Sequence, residues 1–376
     1  MKLFQVYSLQ PIEPVRAEGS WLWDTGGNRY LDMYGGHAVI SVGHNHPRYN
    51  EAIKRQLGGI SFYSNSVLNS LQEELAEKLG SLSGYPDYQL FLCNSGAEAN
   101  ENAIKLASFL TGRKKVIALR NAFHGRTSGV VAVTDNPKIV APFNTPHHVV
   151  FVPMNDLIAL QAALDEDTAA VLIEGIQGVG GIHEPDAGYL RSAEQIVQNN
   201  GSMLILDEVQ SGYGRTGKFF AHQHAGIRPQ LITTAKGMGN GFPIGGVLIA
   251  PDLKPWPGML GTTFGGNHLA CAAAIAVLDI IREENLMQNA AQLGGHLIAE
   301  LSAMGLGSIR GRGLMIGFDT PSAVPGLRHA LLSKHRIFTG EAKPNVVRLL
   351  PSLALKSDEA NVFLLALHQE LNSAAS

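Results

Sequence analysis

Short apolar runs recur through the middle of the chain: QLFLC (89–93), KVIALR (115–120), VVFVP (149–153), AAVLIE (169–174), MLILD (203–207), QLITT (230–234) and GVLIA (246–250). Runs of this length without polar alternation predict seven strands buried on both faces. Between several of them the spacing turns helical. AEANENAIKLASFL follows the first run, and GYLRSAEQIVQNNG precedes the fifth and closes on a C-terminal glycine. Strand alternating with helix predicts an α/β fold on a mostly parallel sheet with helices on both faces. Ligands of such sheets sit at the carboxyl ends of strands, so the residues just past each run are the candidates for chemistry.

Outside this block the pattern changes. Residues 1–45 read as short strands and turns, with WLWDTGGNRYLDM a hairpin around Gly26 and Gly27. From 269 a long helical pattern, beginning with the buried-helix run LACAAAIAVL, leads into RGRGLMIGF as one strand, then HRIFTG, NVVRLL and a last helix capped near Ser357 or Asp358. This predicts a large domain of residues 46–268 and a smaller α+β domain assembled from both termini, 1–45 and 269–376.

Composition then restricts the partners. Charged residues are 16% of the 376 positions, against about 25% in a typical soluble protein, while hydrophobic ones are 45%. Surface buried in an interface would account for that. A net charge of −3 offers no footprint for nucleic acid or an anionic membrane, which leaves small molecules as ligands. Cys93 and Cys271 make no disulfide framework, no apolar stretch is long enough to span a membrane, and the N-terminus lacks a signal-peptide core. A cytoplasmic protein is expected. No histidines, including His44, His46, His147 and His148, have persuasive metal-ligand spacing.

Three segments carry candidate chemistry. Asn94, Ser95, Gly96 and Ala97 follow one strand and open a helix, where free N–H groups and the helix dipole could hold a phosphate, or where the chain simply turns into a cap. Asp207 ends the fifth strand with Glu208 and Gln210 beside it, and could bind a cation, cap a helix or hydrogen-bond a ring nitrogen. Lys236 lies just past the sixth strand among glycines, where a buried amine needs a partner or a task. Together, an anion anchor, an acid and an amine at neighbouring strand ends match what pyridoxal phosphate requires.

At these residues the chain resembles the class III pyridoxal-phosphate aminotransferases, and among them the acylornithine branch. The resemblance runs from VYSLQPIEPVRAEGSWLWD through GHNHP, FLCNSGAEANENAIKLA, FHGRT, DEVQSGYGRTG to AKGMGNG, and GTTFGGNHLA to VVRLLPSL. It implies fold type I and a homodimer with shared active sites. It makes Lys236 the amine that carries the cofactor and later moves the proton, and Asp207 the partner of the ring nitrogen. Gln210 would bond the phenolic oxygen, Phe123 stack on the ring, and Ser95, Gly96 and Ala97 bind the phosphate. Thr263 would reach that phosphate from the neighbouring subunit. Arg126 is placed to take the α-carboxylate of an N-acylated ornithine, and Arg348 that of glutamate or 2-oxoglutarate. The implied reaction passes the δ-amine of acetyl- or succinylornithine to 2-oxoglutarate, in arginine biosynthesis. Ornithine, 4-aminobutyrate or lysine-type donors are alternatives, with an aminomutase or a silent cofactor-binding relative behind them.

Two segments depart from the family. Its usual Glu-Pro-(Ile or Val)-Gln-Gly-Glu-Gly-Gly reads Glu174-Gly175-Ile176-Gln177-Gly178-Val179-Gly180-Gly181 here. The acid that in relatives pairs with the arginine at 348 is Val179, which predicts an Arg348 always open to anions. His37 stands where relatives carry a small residue or a tyrosine near the substrate, and could bond an acyl group or narrow the pocket.

Overall fold

The computed structural model describes residues 1–145 and 148–373, so His147 lies outside the described residues. The chain opens with strands β1 (Pro14–Glu18), β2 (Trp21–Asp24) and β3 (Arg29–Asp32). The turn between β2 and β3 is the expected hairpin: Gly27 adopts φ +77°, and the Asp24 carboxylate accepts the Asn28 N–H at 2.8 Å. A short helical turn α1 (Gly35–Ala38) and helices α2 (Pro47–Leu57) and α3 (Ser70–Ser83) lead to the central sheet.

All seven apolar runs form that sheet: β4 (Gln89–Cys93), β5 (Lys115–Leu119), β6 (Val149–Val152), β7 (Thr168–Glu174), β8 (Met203–Asp207), β9 (Leu231–Thr234) and β10 (Gly245–Ile249). Their order is β4-β10-β9-β8-β7-β5-β6. β10 runs antiparallel to both neighbours, and the other pairings are parallel. Between the strands lie α4 (Gly96–Thr111), α5 (Ser128–Ala132), α6 (Leu157–Ala163) and α7 (Ala187–Asn199).

The unbroken apolar runs have a direct cause. In β7, Ala170 and Leu172 pack into one core with Ala99, Ala103 and Leu106 of α4, while Val171 and Ile173 pack on the other face against Tyr189, Leu190, Ala193 and Val197 of α7. Each fully buried Val, Leu or Ile contributes about 1.5–3 kcal/mol relative to an exposed one. Helix α7 ends as expected at Gly201, φ +73°.

The reversed β10 works as a spacer. Gly245 pairs with Cys93 at the end of β4, and Gly246 pairs with Thr234 at the end of β9. A Cβ on Gly245 would lie 2.7 Å from the Ser95 carbonyl oxygen, so only glycine fits there without moving backbone.

The C-terminal third departs from expectation in three places. The long helical pattern is two helices, α8 (His268–Glu283) and α9 (Leu286–Ala303), parted where Asn285 turns left-handed at φ +54°. RGRGLMIGF is a hairpin, β11 (Arg310–Arg312) with β12 (Met315–Asp319), reversing at Gly313, φ +57°. After α10 (Leu327–Ser333), β13 (Ile337–Phe338), β14 (Gly340–Ala342) and β15 (Val346–Leu349), helix α11 (Ser357–Ser373) already begins at Ser357. Its start is held by the Glu359 carboxylate, which accepts the Lys356 N–H at 2.9 Å. β13 joins the first hairpin and β15 lies between β12 and β14, so the two C-terminal strands serve different small sheets. Among the described residues no helix is long and apolar enough to cross a membrane.

Candidate active site

The carboxyl ends of β4, β7, β8 and β9 open on one cavity of about 410 Å³, within the usual range for a small-molecule site. Its lining includes Ser95, Gly96, Ala97, Phe123, Arg126, Asp207, Gln210 and Lys236, all singled out from the sequence.

At the end of β4, Ser95 caps α4: its hydroxyl accepts the Glu98 N–H at 3.1 Å. The N–H groups of Gly96 and Ala97 belong to the first helical turn, where no intrahelical acceptor exists. They face a ligand space with the positive helix end behind them. Gly96 must be glycine, since a Cβ there would meet Val209 at 2.6 Å.

Asp207 is buried and accepts three hydrogen bonds. Its Oδ2 accepts from Asn100 Nδ2 and from His124 Nδ1, both at 2.7 Å, and its Oδ1 accepts the Val209 N–H at 3.0 Å. Asn100 is held in turn by Thr233, whose hydroxyl donates to its Oδ1 at 2.6 Å. Three donors on one carboxylate hold it in one orientation. Beside it, burial pushes the Glu174 carboxyl up to about 7, although that group accepts the N–H groups of Phe123 (2.9 Å) and Gly178 (3.1 Å).

Lys236 follows β9 at φ +46°, a left-handed conformation that costs an L-residue about 1–2 kcal/mol. Its amine has no hydrogen bond or ion pair among the described residues. Burial lowers its pKa from the ordinary lysine value, against the pull of Asp207 and Glu174 and with a further push from Arg348. The shift favours the neutral amine, the form that can act as nucleophile or base. Phe123 and Val209 both line the cavity, and Gln210 Oε1 is buried without a partner while its Nε2 donates to the His37 carbonyl at 3.2 Å.

Arg126 is exposed at the cavity with no carboxylate partner among the described residues, its guanidinium 5.9 Å from the Phe123 ring centre. Arg348 on β15 and His37 lie next to the lining, Arg348 buried and His37 exposed. The Arg348 guanidinium is buried, donates to the Gly178 carbonyl at 3.0 Å and to the Tyr34 hydroxyl at 3.1 Å, and leaves its Nε without a partner. Val179 lines the cavity one residue from that carbonyl. Thr263 is exposed in the loop before α8 and does not line the cavity of its own chain. Among the described residues no cluster of metal-ligand type occurs; His44 bonds Asp32 and His46 bonds Glu284 instead.

Sequence reasoning missed five groups here: Asn100, His124, Glu174, Val209 and Tyr34. Glu174 was within reach of it as the residue ending an apolar run, and His124 as the neighbour of Phe123. Asn100 and Tyr34 leave no local signal, because only the tertiary fold brings them to Asp207 and Arg348.

Comparison with known proteins agrees with this geometry. The acetylornithine aminotransferase of Streptomyces coelicolor is 42% identical, over 99% of this chain and 94% of that protein. The structure of ornithine aminotransferase from Toxoplasma gondii, with PLP at partial occupancy in its active site, superposes with a TM-score of 0.91 at 29% identity, over 99% of this chain and 92% of that one. Acetylornithine aminotransferase from Elizabethkingia anophelis superposes with a TM-score of 0.85 at 28% identity, covering 98% and 96%. The family model for class III aminotransferases matches residues 5–371, and the chain belongs to that family.

Proposed function

We propose that this enzyme moves the δ-amine of an N-acylated ornithine to 2-oxoglutarate with pyridoxal phosphate as cofactor. The observation that carries the reading is one cavity holding an unpaired, desolvated lysine, a triply bonded carboxylate and a free helix N-terminus, with two arginines lacking carboxylate partners beside it. The donor class follows from the similarity to acetylornithine aminotransferases.

The donor set suits the group. Gly96 and Ala97 N–H, with the Ser95 hydroxyl, would hold the phosphate; Phe123 and Val209 would flank the ring; Gln210 Oε1, otherwise orphaned, would meet the phenolic oxygen. Pyridoxal phosphate when bound supplies a carbonyl carbon for the amine and a ring that spreads negative charge. Asp207 Oδ would keep a proton on the ring nitrogen's side. Lys236 Nζ, whose desolvation favours the neutral amine, would take the proton from the amine-bearing carbon of the donor and return it one position away. Arg126 would fix the donor's α-carboxylate so that only its far amine reaches Lys236, and Arg348 would fix 2-oxoglutarate. We also propose that Thr263 completes the phosphate site of a second copy. The exposed Phe62, Tyr63, Leu68 and Phe264 near that loop would be covered in such a dimer.

Mixing holoenzyme with N-acetylornithine, N-succinylornithine, ornithine, 4-aminobutyrate or glutamate in a single turnover, and following loss of the cofactor's visible absorbance, tests the donor. Fastest conversion by an acylornithine is expected. Conversion by glutamate alone would overturn the donor while leaving the family intact.

A further expected outcome concerns Val179→Glu. The new carboxylate would reach the unpaired edge of Arg348 and compete with substrate carboxylates, raising KM for 2-oxoglutarate about tenfold, the size of one charge-assisted hydrogen bond. Steady-state kinetics with unchanged KM would show that Arg348 is not the 2-oxoglutarate site.

A further inference from the structure

Arg348 has an unusual set of neighbours for a buried cation. Its two bonded nitrogens donate to neutral oxygens, the Gly178 carbonyl and the Tyr34 hydroxyl. Its Nε–H is buried with no acceptor, and an orphaned donor on a buried charge marks a place prepared for an anion. Tyr34 is tied further. Its hydroxyl lies 2.5 Å from His37 Nδ1, with the two ring centres 4.8 Å apart.

The Arg348 bond has only one possible direction, and the Tyr34–His37 bond is assigned with the tyrosine proton as donor. Arg348 has only protons to give, so Tyr34 Oη accepts from it and has its own proton left for His37 Nδ1. Nδ1 is then an acceptor, which places the proton of the neutral ring on Nε2. Partial desolvation, with the nearby positive charges of Arg348 and Lys236, lowers the His37 pKa and so favours the neutral ring. His37 is exposed, and its Nε2–H has no protein partner among the described residues and is open to a ligand at the cavity mouth. The ring stays next to the cavity because its own carbonyl accepts from Gln210, which lines it, and His37 is held at φ +69° by the left-handed run that starts at Gly35.

We propose that Tyr34 is a positioning residue and His37 a specificity-determining one: Tyr34 orients Arg348 as a neutral companion in place of an acid, and through the same hydroxyl fixes His37 with an Nε2–H that receives an acyl oxygen of the amino donor. The proposal rests on the acylornithine reading and deepens it. The acyl oxygen is an amide carbonyl in an N-acetyl donor, or a carboxylate in an N-succinyl donor, and the two are separated by which KM responds.

Tyr34→Phe keeps the ring and removes the hydroxyl. In holoenzyme titrated with glutarate, a dicarboxylate without an amine or keto group to react, affinity should fall about tenfold, the loss of one oriented charge-assisted contact. In steady state the same variant should raise KM for 2-oxoglutarate and for the acyl donor by more than it lowers kcat. His37→Phe should raise KM for the acyl donor about fivefold, a neutral hydrogen bond's worth, with a smaller effect on glutarate binding. A rise for both acyl donors indicates the amide carbonyl; a rise for N-succinylornithine alone indicates its carboxylate. Unchanged glutarate affinity in Tyr34→Phe would overturn the positioning role, and unchanged acyl-donor KM values in His37→Phe would overturn the specificity role. Should no acylornithine react with the wild type, the donor assignment fails, while the glutarate titration still decides whether Tyr34 sets Arg348.

Discussion

Lys236→Ala should fold normally and lose at least about four orders of magnitude in turnover, since in the proposed reaction one group serves as both nucleophile and proton carrier. The amine has no structural partner to abandon, and its burial is a cost to the folded state rather than a contact that stabilises it. The cofactor-free variant should therefore melt at or above the temperature of cofactor-free wild type. Truncation of a buried residue normally destabilises, so the pairing of lost activity with retained stability is the distinctive outcome. The checks are the visible spectrum, turnover with 2-oxoglutarate, and thermal unfolding of both cofactor-free proteins. Residual activity above about one hundredth of wild type, or marked destabilisation, would show that the lysine is structural.

Asp207→Asn should lower kcat by about a thousandfold, as expected when a preorganised charge is lost from a site sheltered from water. The substitution is nearly isosteric, yet the surroundings were built for a carboxylate. Asn100 Nδ2 and His124 Nδ1 both point at one oxygen and the Val209 N–H at the other. An amide offers one oxygen and one NH2, so in either orientation a buried donor faces a donor. That mismatch costs about 1–3 kcal/mol and should appear as a lowered melting temperature. Here activity and stability fall together, the reverse of the lysine variant. A kcat within about tenfold of wild type would mean that Asp207 does not meet the ring nitrogen.

The two variants also show where sequence was informative. The seven strands were legible because burial on both faces removes polar alternation, as Ala170, Val171, Leu172 and Ile173 illustrate by facing opposite cores in turn. Such a run has no direction in it, so the reversal of β10 could not be read. Asn285 and Gly313 redirect the chain through single left-handed residues, too small a signal within EENL or RGRG to divide the pattern. At the site, residues directly past a strand end were found because topology puts them there. His124 and Asn100 were not, since their role is to satisfy a buried acid across 83 and 107 positions of sequence. Val179 could be seen as an absence, but its replacement could not: Tyr34 lies 314 positions from the arginine it touches.

The reversed strand β10, with Gly245 and Gly246 set between Cys93 and Thr234, acts as a fixed gauge. Two inter-strand spacings separate the start of α4 from the turn that carries Lys236, roughly 9–10 Å of backbone geometry. No side chain takes part in setting that length, so none can drift and spoil it. Residues at the rim, Tyr34, His37 and Val179 among them, are then free to vary for a new amine donor without recalibrating the distance on which the chemistry depends. A laboratory redesign of donor choice should leave the glycine pair alone and work at the rim.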